Sequence, residues 1–183
     1  MFSRERLLEL LRALDAELAR AGATAEICLF GGAAMVLAFD ARTATRDVDA
    51  VFVPKDVVLR AIAAVAEAHD ESADWMNDAV KGFVSAQATT TADNLPVFAN
   101  IRLLRPTDDY LLAMKCLAAR AAGYDTDGDR ADVALLLRRL NLRSVEDVLT
   151  VIGRYYHDRQ VPARTRYFVE ETLHDLWTNA RKT

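Results

Sequence analysis

Two carboxylates spaced two residues apart, Asp47 and Asp49, follow a glycine pair, Gly31-Gly32, across a loop that carries Arg42 and Arg46. Residues two apart in an extended strand point to the same side, so Asp47 and Asp49 are expected next to each other. Two like charges that close are costly unless a cation neutralises them. A pair of hard oxygen donors suits Mg2+, which completes its shell with water and substrate phosphates. Two glycines at a strand-to-helix turn let a phosphate approach the backbone N–H groups of a helix N terminus. Arg42 and Arg46 bring positive charge for phosphate oxygens. Each feature alone has a plainer reading: a tight turn, a solvated strand end, arginines in water. The order is what points to a metal and nucleotide site: strand, Gly-Gly, helix, a loop with Arg and Thr, then Asp-x-Asp opening a strand.

The elements that must position these residues are legible from periodicity and turn chemistry. Leu7, Leu8, Leu11, Leu14 and Leu18 recur at helical spacing behind Ser3, a cap residue, and before Gly22, a stop, which predicts a helix over 4–21. Ile27 to Phe30 reads as a buried strand and Ala33 to Phe39 as a short helix. Asp47 to Val53 reads as a second strand, stopped by Pro54, and 55–69 as a helix with Val57, Val58, Ala61, Ile62 and Val65 on one side. Trp75 to Phe83 reads as a helical turn followed by a strand, Ala88 to Asn94 as a loop, and Val97 to Leu104 as a strand ended by Pro106. Helices are expected near 108–122, 130–140, 145–155 and 163–180, with Ser144 and Pro162 as start signals. Helix and strand alternate only in the first half. The expected architecture is α+β: a small mixed sheet with packed helices over 1–106, then a helical C-terminal region over 107–183 packed on that core.

Bulk composition narrows the classes. An apolar fraction of 52% and a charged fraction of 27% in 183 residues are ordinary for a globular chain and exclude disorder. No apolar run approaches the ~20 residues of a membrane span, and the N terminus goes straight into an amphipathic pattern. A cytoplasmic protein without membrane association is expected. Cys28 and Cys116 sit in apolar stretches and read as buried hydrophobes, and the three histidines are scattered, which argues against zinc. A net charge of −4 argues against a general nucleic-acid coat protein but leaves room for a local basic patch.

Gly31-Gly32 and Asp47-Val48-Asp49 resemble the Gly-Gly/Ser and Asp-x-Asp motifs of the polymerase-β-type nucleotidyltransferase superfamily, in its minimal bacterial branch, which includes the AbiEii-type toxin nucleotidyltransferases. Tyr110 to Lys115, followed by Ala119-Arg120, resembles that family's Lys-bearing helix. Asp129-Arg130-Ala131-Asp132-Val133 resembles its later Asp-x-x-Asp helix, and Trp75 to Asp78 and Tyr155-Tyr156 extend the likeness. The resemblance spans about residues 27 to 175. It implies a polymerase-β-like core in which Asp47 and Asp49 hold Mg2+. It also implies that Gly31, Gly32, Arg42, Thr45, Arg46 and Lys115 contact a nucleoside triphosphate, and that Lys115, Asp129 and Asp132 complete the catalytic set. Plainer roles stand beside these: Lys115 snorkels from an apolar helix face, Asp129 caps the helix it begins, and Asp132 pairs with Arg120.

Two departures from the family pattern bear on chemistry. The second motif residue is Gly32, where polymerase-like members usually carry serine. The strand expected to carry a third carboxylate offers only Asn100. The implied function is transfer of a nucleotidyl group from a nucleoside triphosphate to an acceptor, with tRNA as the expected acceptor, as the toxin of a toxin–antitoxin pair with a cognate antitoxin. The alternatives are a degenerate scaffold acting as a binding or antitoxin-like protein, and an enzyme that adds AMP to a protein. RNA is favoured by basic clusters at Arg138, Arg139 and Arg143 and at Arg154, Arg159, Arg164 and Arg166, with Tyr155 and Tyr156 beside the second.

Overall fold

The computed structural model describes residues 1–119, 126–157 and 161–178. The chain is mixed α and β and divides into two units. The first comprises Met1–Val84 with Thr90–Pro106, and the second comprises Ser85–Thr89 with Thr107–Thr183.

The first unit starts with a two-residue strand β1 (Phe2–Ser3) and helix α1 (Arg4–Arg20). Ser3 caps α1, its Oγ accepting from the Arg6 amide at 3.2 Å. Strand β2 (Ala25–Leu29) runs into α2 (Gly31–Phe39), followed by β3 (Ala44–Thr45), β4 (Val48–Val53) and α3 (Lys55–His69). Next come β5 (Met76–Asn77), a 3-10 turn at Ala79–Phe83, β6 (Thr90–Thr91) and β7 (Ile101–Pro106). Five strands form one sheet in the order β5-β4-β2-β7-β6, with β2 central, antiparallel to β4 and parallel to β7. β1 and β3 form a separate antiparallel ladder, Phe2 opposite Thr45.

Alternation divides the sheet into two faces. Ile27, Leu29, Val48, Ala50, Phe52 and Leu103 belong to one buried cluster with the apolar stripe of α1 (Leu7, Leu10, Leu11, Leu14, Leu18) and that of α3 (Val58, Ala61, Ile62, Val65). The opposite face carries Glu26, Cys28, Asp49, Val51, Arg102 and Leu104. One face therefore packs the core, and the other face displays the carboxylate.

Three sequence expectations need correction. At 75–83 the order is reversed, with the strand preceding the turn. The last long strand covers Ile101–Pro106 rather than 97–104, because Val97 is apolar but 96% exposed and makes no ladder. The stretch read as loop at 88–94 contains β6, which pairs Thr90 with Pro106 and Thr91 with Arg105.

In the second unit, α4 (Asp108–Ala118), α5 (Thr126–Arg139), α6 (Val145–Tyr155) and α7 (Ala163–Thr178) pack on one another. Ser144 caps α6 through the Asp147 amide at 3.1 Å. The segment Ser85–Thr89 is tied into this unit: the Ser85 amide donates to Tyr110 Oη at 2.8 Å, and the Thr107 amide donates to the Thr89 carbonyl at 3.0 Å. The helix expected at 108–122 ends earlier, at Ala118, where Ala119 leaves helical geometry and its amide donates to the Lys115 carbonyl; Arg120 and Arg159 lie outside the described residues. No described helix is long and apolar enough to cross a membrane.

Candidate active site

The sequence folds locally so that a glycine turn meets a carboxylate. β2 ends at Leu29, Phe30 is extended, and α2 begins on the glycines with no side chain capping its N terminus. Gly31 has a φ of 54°, a conformation that costs an ordinary L-residue ~1–2 kcal/mol and glycine almost nothing. The Phe30 amide donates to the Asp49 carbonyl at 2.9 Å, which fastens the turn to β4. The Asp49 side chain follows: a Cβ built on Gly31 would lie 3.5 Å from Asp49 Oδ2. The half-buried Asp49 carboxylate thus stands against the glycine turn, at the first-turn end of α2, where orphan backbone N–H groups favour anionic groups.

Asp47 lies one residue before β4, not inside it as expected, and is exposed. The ladder between β4 and β5 begins at Val48, opposite Met76, so Asp47 has no strand partner there to hold it in the pleat. The loop leading to it holds half-buried Arg42 and exposed Arg46. Thr45, by contrast, is buried on β3 and donates its hydroxyl to the Asp47 carbonyl at 3.1 Å.

Gly32 packs directly against Thr45. A Cβ there would sit 2.9 Å from Thr45 Cβ and closer still to its Oγ1. This is the physical reason for the glycine at the second motif position: a serine side chain and Thr45 cannot occupy the same space.

The oxygen donors fit Mg2+ better than any metal needing a full protein cage. Two carboxylates, one half-buried and one exposed, match an ion that takes one or two carboxylates and fills its shell with water and phosphate. No group of three or more His, Cys, Asp or Glu residues placed to hold a metal exists among the described residues. On the face that displays Asp49, β7 contributes Arg102 and Leu104, neither of them acidic. Asn100 is turned to α1 instead, its amide N–H donating to Asp15 Oδ1 at 2.7 Å and its side-chain amide to the Asp15 carbonyl at 3.4 Å.

The remaining sequence-expected residues form a second cluster, within the helical unit. Lys115 on α4 is 7% exposed, and Asp132 on α5 is fully buried. Lys115 Nζ lies 2.7 Å from Asp132 Oδ2 and 3.1 Å from Asp129 Oδ1. The ammonium is therefore buried and doubly paired rather than snorkelling to water. Asp129 lies inside α5, which begins at Thr126, so it is not the residue that caps it. The expected partner of Asp132, Arg120, is outside the described residues.

The basic and aromatic residues near the C terminus are largely engaged. Arg139 Nε bonds Asp108 Oδ2 at 2.8 Å, Arg166 bonds Glu146 at 2.9 Å, and Arg143 lies 4.8 Å over the Trp177 ring. Tyr155 is buried and donates to Asp109 Oδ2 at 2.6 Å, with its ring 4.7 Å from that of Tyr110. Burial raises the Asp109 pKa, but hydrogen bonds from the Thr107 and Tyr155 hydroxyls and the Tyr110 amide outweigh it and hold the carboxyl below its usual range. Sequence reasoning missed this network because its members, Thr89, Thr107, Asp109 and Tyr155, come from separate parts of the chain and form no motif. Cys28 and Cys116 are buried thiols, and burial pushes both up to about 12.

Comparison with known protein families, with characterised proteins and with solved structures gives no match to this chain.

Proposed function

We propose that this chain is a Mg2+-dependent nucleotidyltransferase with a polymerase-β-like core in its first unit, acting on a nucleoside triphosphate and an acceptor hydroxyl. The observation that carries the reading is the Asp49 carboxylate placed against the Gly31 turn at the start of α2. That juxtaposition offers an anion-binding backbone and a cation-binding carboxylate a few ångströms apart, which is what a metal-bound triphosphate requires. Asp47 and Asp49 would hold the Mg2+, which, when bound, neutralises charge on the phosphates as the acceptor oxygen attacks the α-phosphorus and pyrophosphate leaves. The backbone of Gly31 and Gly32 receives phosphate oxygens, and Arg42 and Arg46 flank the loop with compensating charge. Lys115, buried between Asp129 and Asp132, supports a part in holding the helical unit together; contact with phosphate is the role the resemblance implies for it.

RNA, with tRNA first, is the proposed acceptor, and exposed Arg138 and Arg164 are the surface cations for its backbone. The proposal extends to a toxin paired with a cognate antitoxin. A second reading, a scaffold that binds nucleotide without transferring it, is favoured by one observation: the strand beside β2 supplies no third carboxylate to the displayed face. Incubation with nucleoside triphosphates labelled at the α-phosphate, Mg2+ and total bacterial RNA separates the outcomes. Label on RNA that disappears in Asp49→Asn supports the proposal. Label on protein redirects it to AMP addition, and binding without any transfer supports the scaffold.

A further inference from the structure

Resemblance assigns Thr45 to nucleotide contact, but its surroundings assign it another part. The residue is 7% exposed, and its backbone is fixed in the ladder opposite Phe2. On one side its hydroxyl donates to the Asp47 carbonyl at 3.1 Å. On the other side it fills the space above the Gly32 backbone so closely that no Cβ fits there. One small, stiff, β-branched side chain therefore spans from the first turn of α2 to the backbone of the first carboxylate residue. A threonine hydroxyl has a single proton, and here that proton goes to Asp47. What remains are lone pairs, which repel phosphate oxygens rather than bind them.

We propose that Thr45 is a positioning residue: it sets the gap between the glycine turn and the Asp47–Asp49 segment, and Gly32 is glycine to admit it. The inference rests on the reading of that turn and those carboxylates as a Mg2+–triphosphate site. A spacer between the two matters only when one ligand engages both, and a triphosphate does so only with Mg2+ present.

The test is calorimetric titration of ATP and GTP, with and without Mg2+, into wild type, Thr45→Val, Thr45→Ser and Gly32→Ala, each checked for folding by its melting curve. Thr45→Val keeps the shape and removes the hydroxyl, so the Mg2+-dependent affinity should fall about fivefold to tenfold, in proportion to one lost buried hydrogen bond. Binding without Mg2+ should not change, and Thr45→Ser should stay within about twofold of wild type. Thr45→Val binding like wild type overturns the inference, and so does Thr45→Ser falling as far as Thr45→Val. A loss of equal size with and without Mg2+ also overturns it, in favour of direct nucleotide contact. If Thr45→Val does not fold, Gly32→Ala decides by the same criterion, a loss confined to the Mg2+-dependent part. Wild type without Mg2+-dependent binding removes the site reading and the Thr45 role together. Wild-type binding with unaffected variants removes the Thr45 role alone.

Discussion

At the residue scale, Asp49 and Gly31 carry most of the account. Gly31 sits at φ 54°, so Gly31→Ala should lower stability by ~1–2 kcal/mol through backbone strain alone. The added methyl would meet Asp49 Oδ2 at 3.5 Å, an ordinary contact, so a denaturant midpoint shift without misfolding is the expected result. Asp109 gives a pH prediction. Its carboxyl is held below the usual range when folded, so it binds its proton more weakly folded than unfolded. It therefore contributes stability that is fully present above the unfolded value of ~4 and is lost as pH falls through the folded value. Urea denaturation of Asp109→Asn should show a flatter acid limb than wild type below about pH 4; parallel curves would show that the network adds nothing. The approach of Asp49 to the Gly31 turn was legible from residue type and spacing, whereas the place of Asp47, one residue before β4, was not. The packing of Thr45 on Gly32 was not legible, because a contact between residues thirteen positions apart depends on how two loops fold back.

At the element scale, the buried link between α4 and α5 makes the sharpest prediction. Lys115 and Asp132 pair at 2.7 Å with almost no exposure on either side. Asp132→Ala leaves the buried Lys115 ammonium with only the more exposed Asp129 at 3.1 Å, so it should cost about 3 kcal/mol, the lower end for breaking a buried pair. The double variant Lys115→Met with Asp132→Leu should recover part of that loss, because the two most buried charges go together while Asp129, a third exposed, keeps its access to water. Thermal melts of both test the pair's structural part: a double variant no more stable than Asp132→Ala would contradict it. Several helices with clear periodicity or a cap were legible within a residue or two, whereas α4 ends four residues before the expected 122 and α5 starts four residues before the expected 130. The helix over 55–69 is α3, and the start of α6 at Val145 follows from Ser144. The failures among the strands have a common cause. β1, β3, β5 and β6 are two residues each, too short for any period to register. Val97 belongs to an apolar run that never joins the sheet, and composition cannot separate an exposed apolar residue from a buried one.

At the scale of the whole molecule, an acidic chain is proposed to handle two polyanions, a triphosphate and RNA, so local charge must outweigh the net −4. RNA affinity should fall steeply with salt, and Arg164→Ala should reduce the slope by about one contact's worth. An unchanged slope would place RNA elsewhere. The mixed α and β class was legible from the way helix and strand alternate early and only helices follow. That Ser85–Thr89 joins the helical unit while its flanks belong to the other was not, because the hydrogen bonds that hold it run to Tyr110, Thr107 and Tyr155 far along the chain. The central claim is that the Gly31 turn and the Asp47–Asp49 carboxylates form one Mg2+–triphosphate site. The most direct measurement is calorimetric titration of a nucleoside triphosphate into wild type and Asp49→Asn, each with Mg2+ and with chelator. Asp49→Asn is expected to fold as wild type does, because asparagine keeps the size and shape of the half-buried side chain. The account predicts Mg2+-dependent binding to wild type and a loss of at least about tenfold, ~1.4 kcal/mol, in the folded Asp49→Asn variant. Equal affinity of the two proteins in Mg2+, or wild-type binding indifferent to chelator, would contradict it.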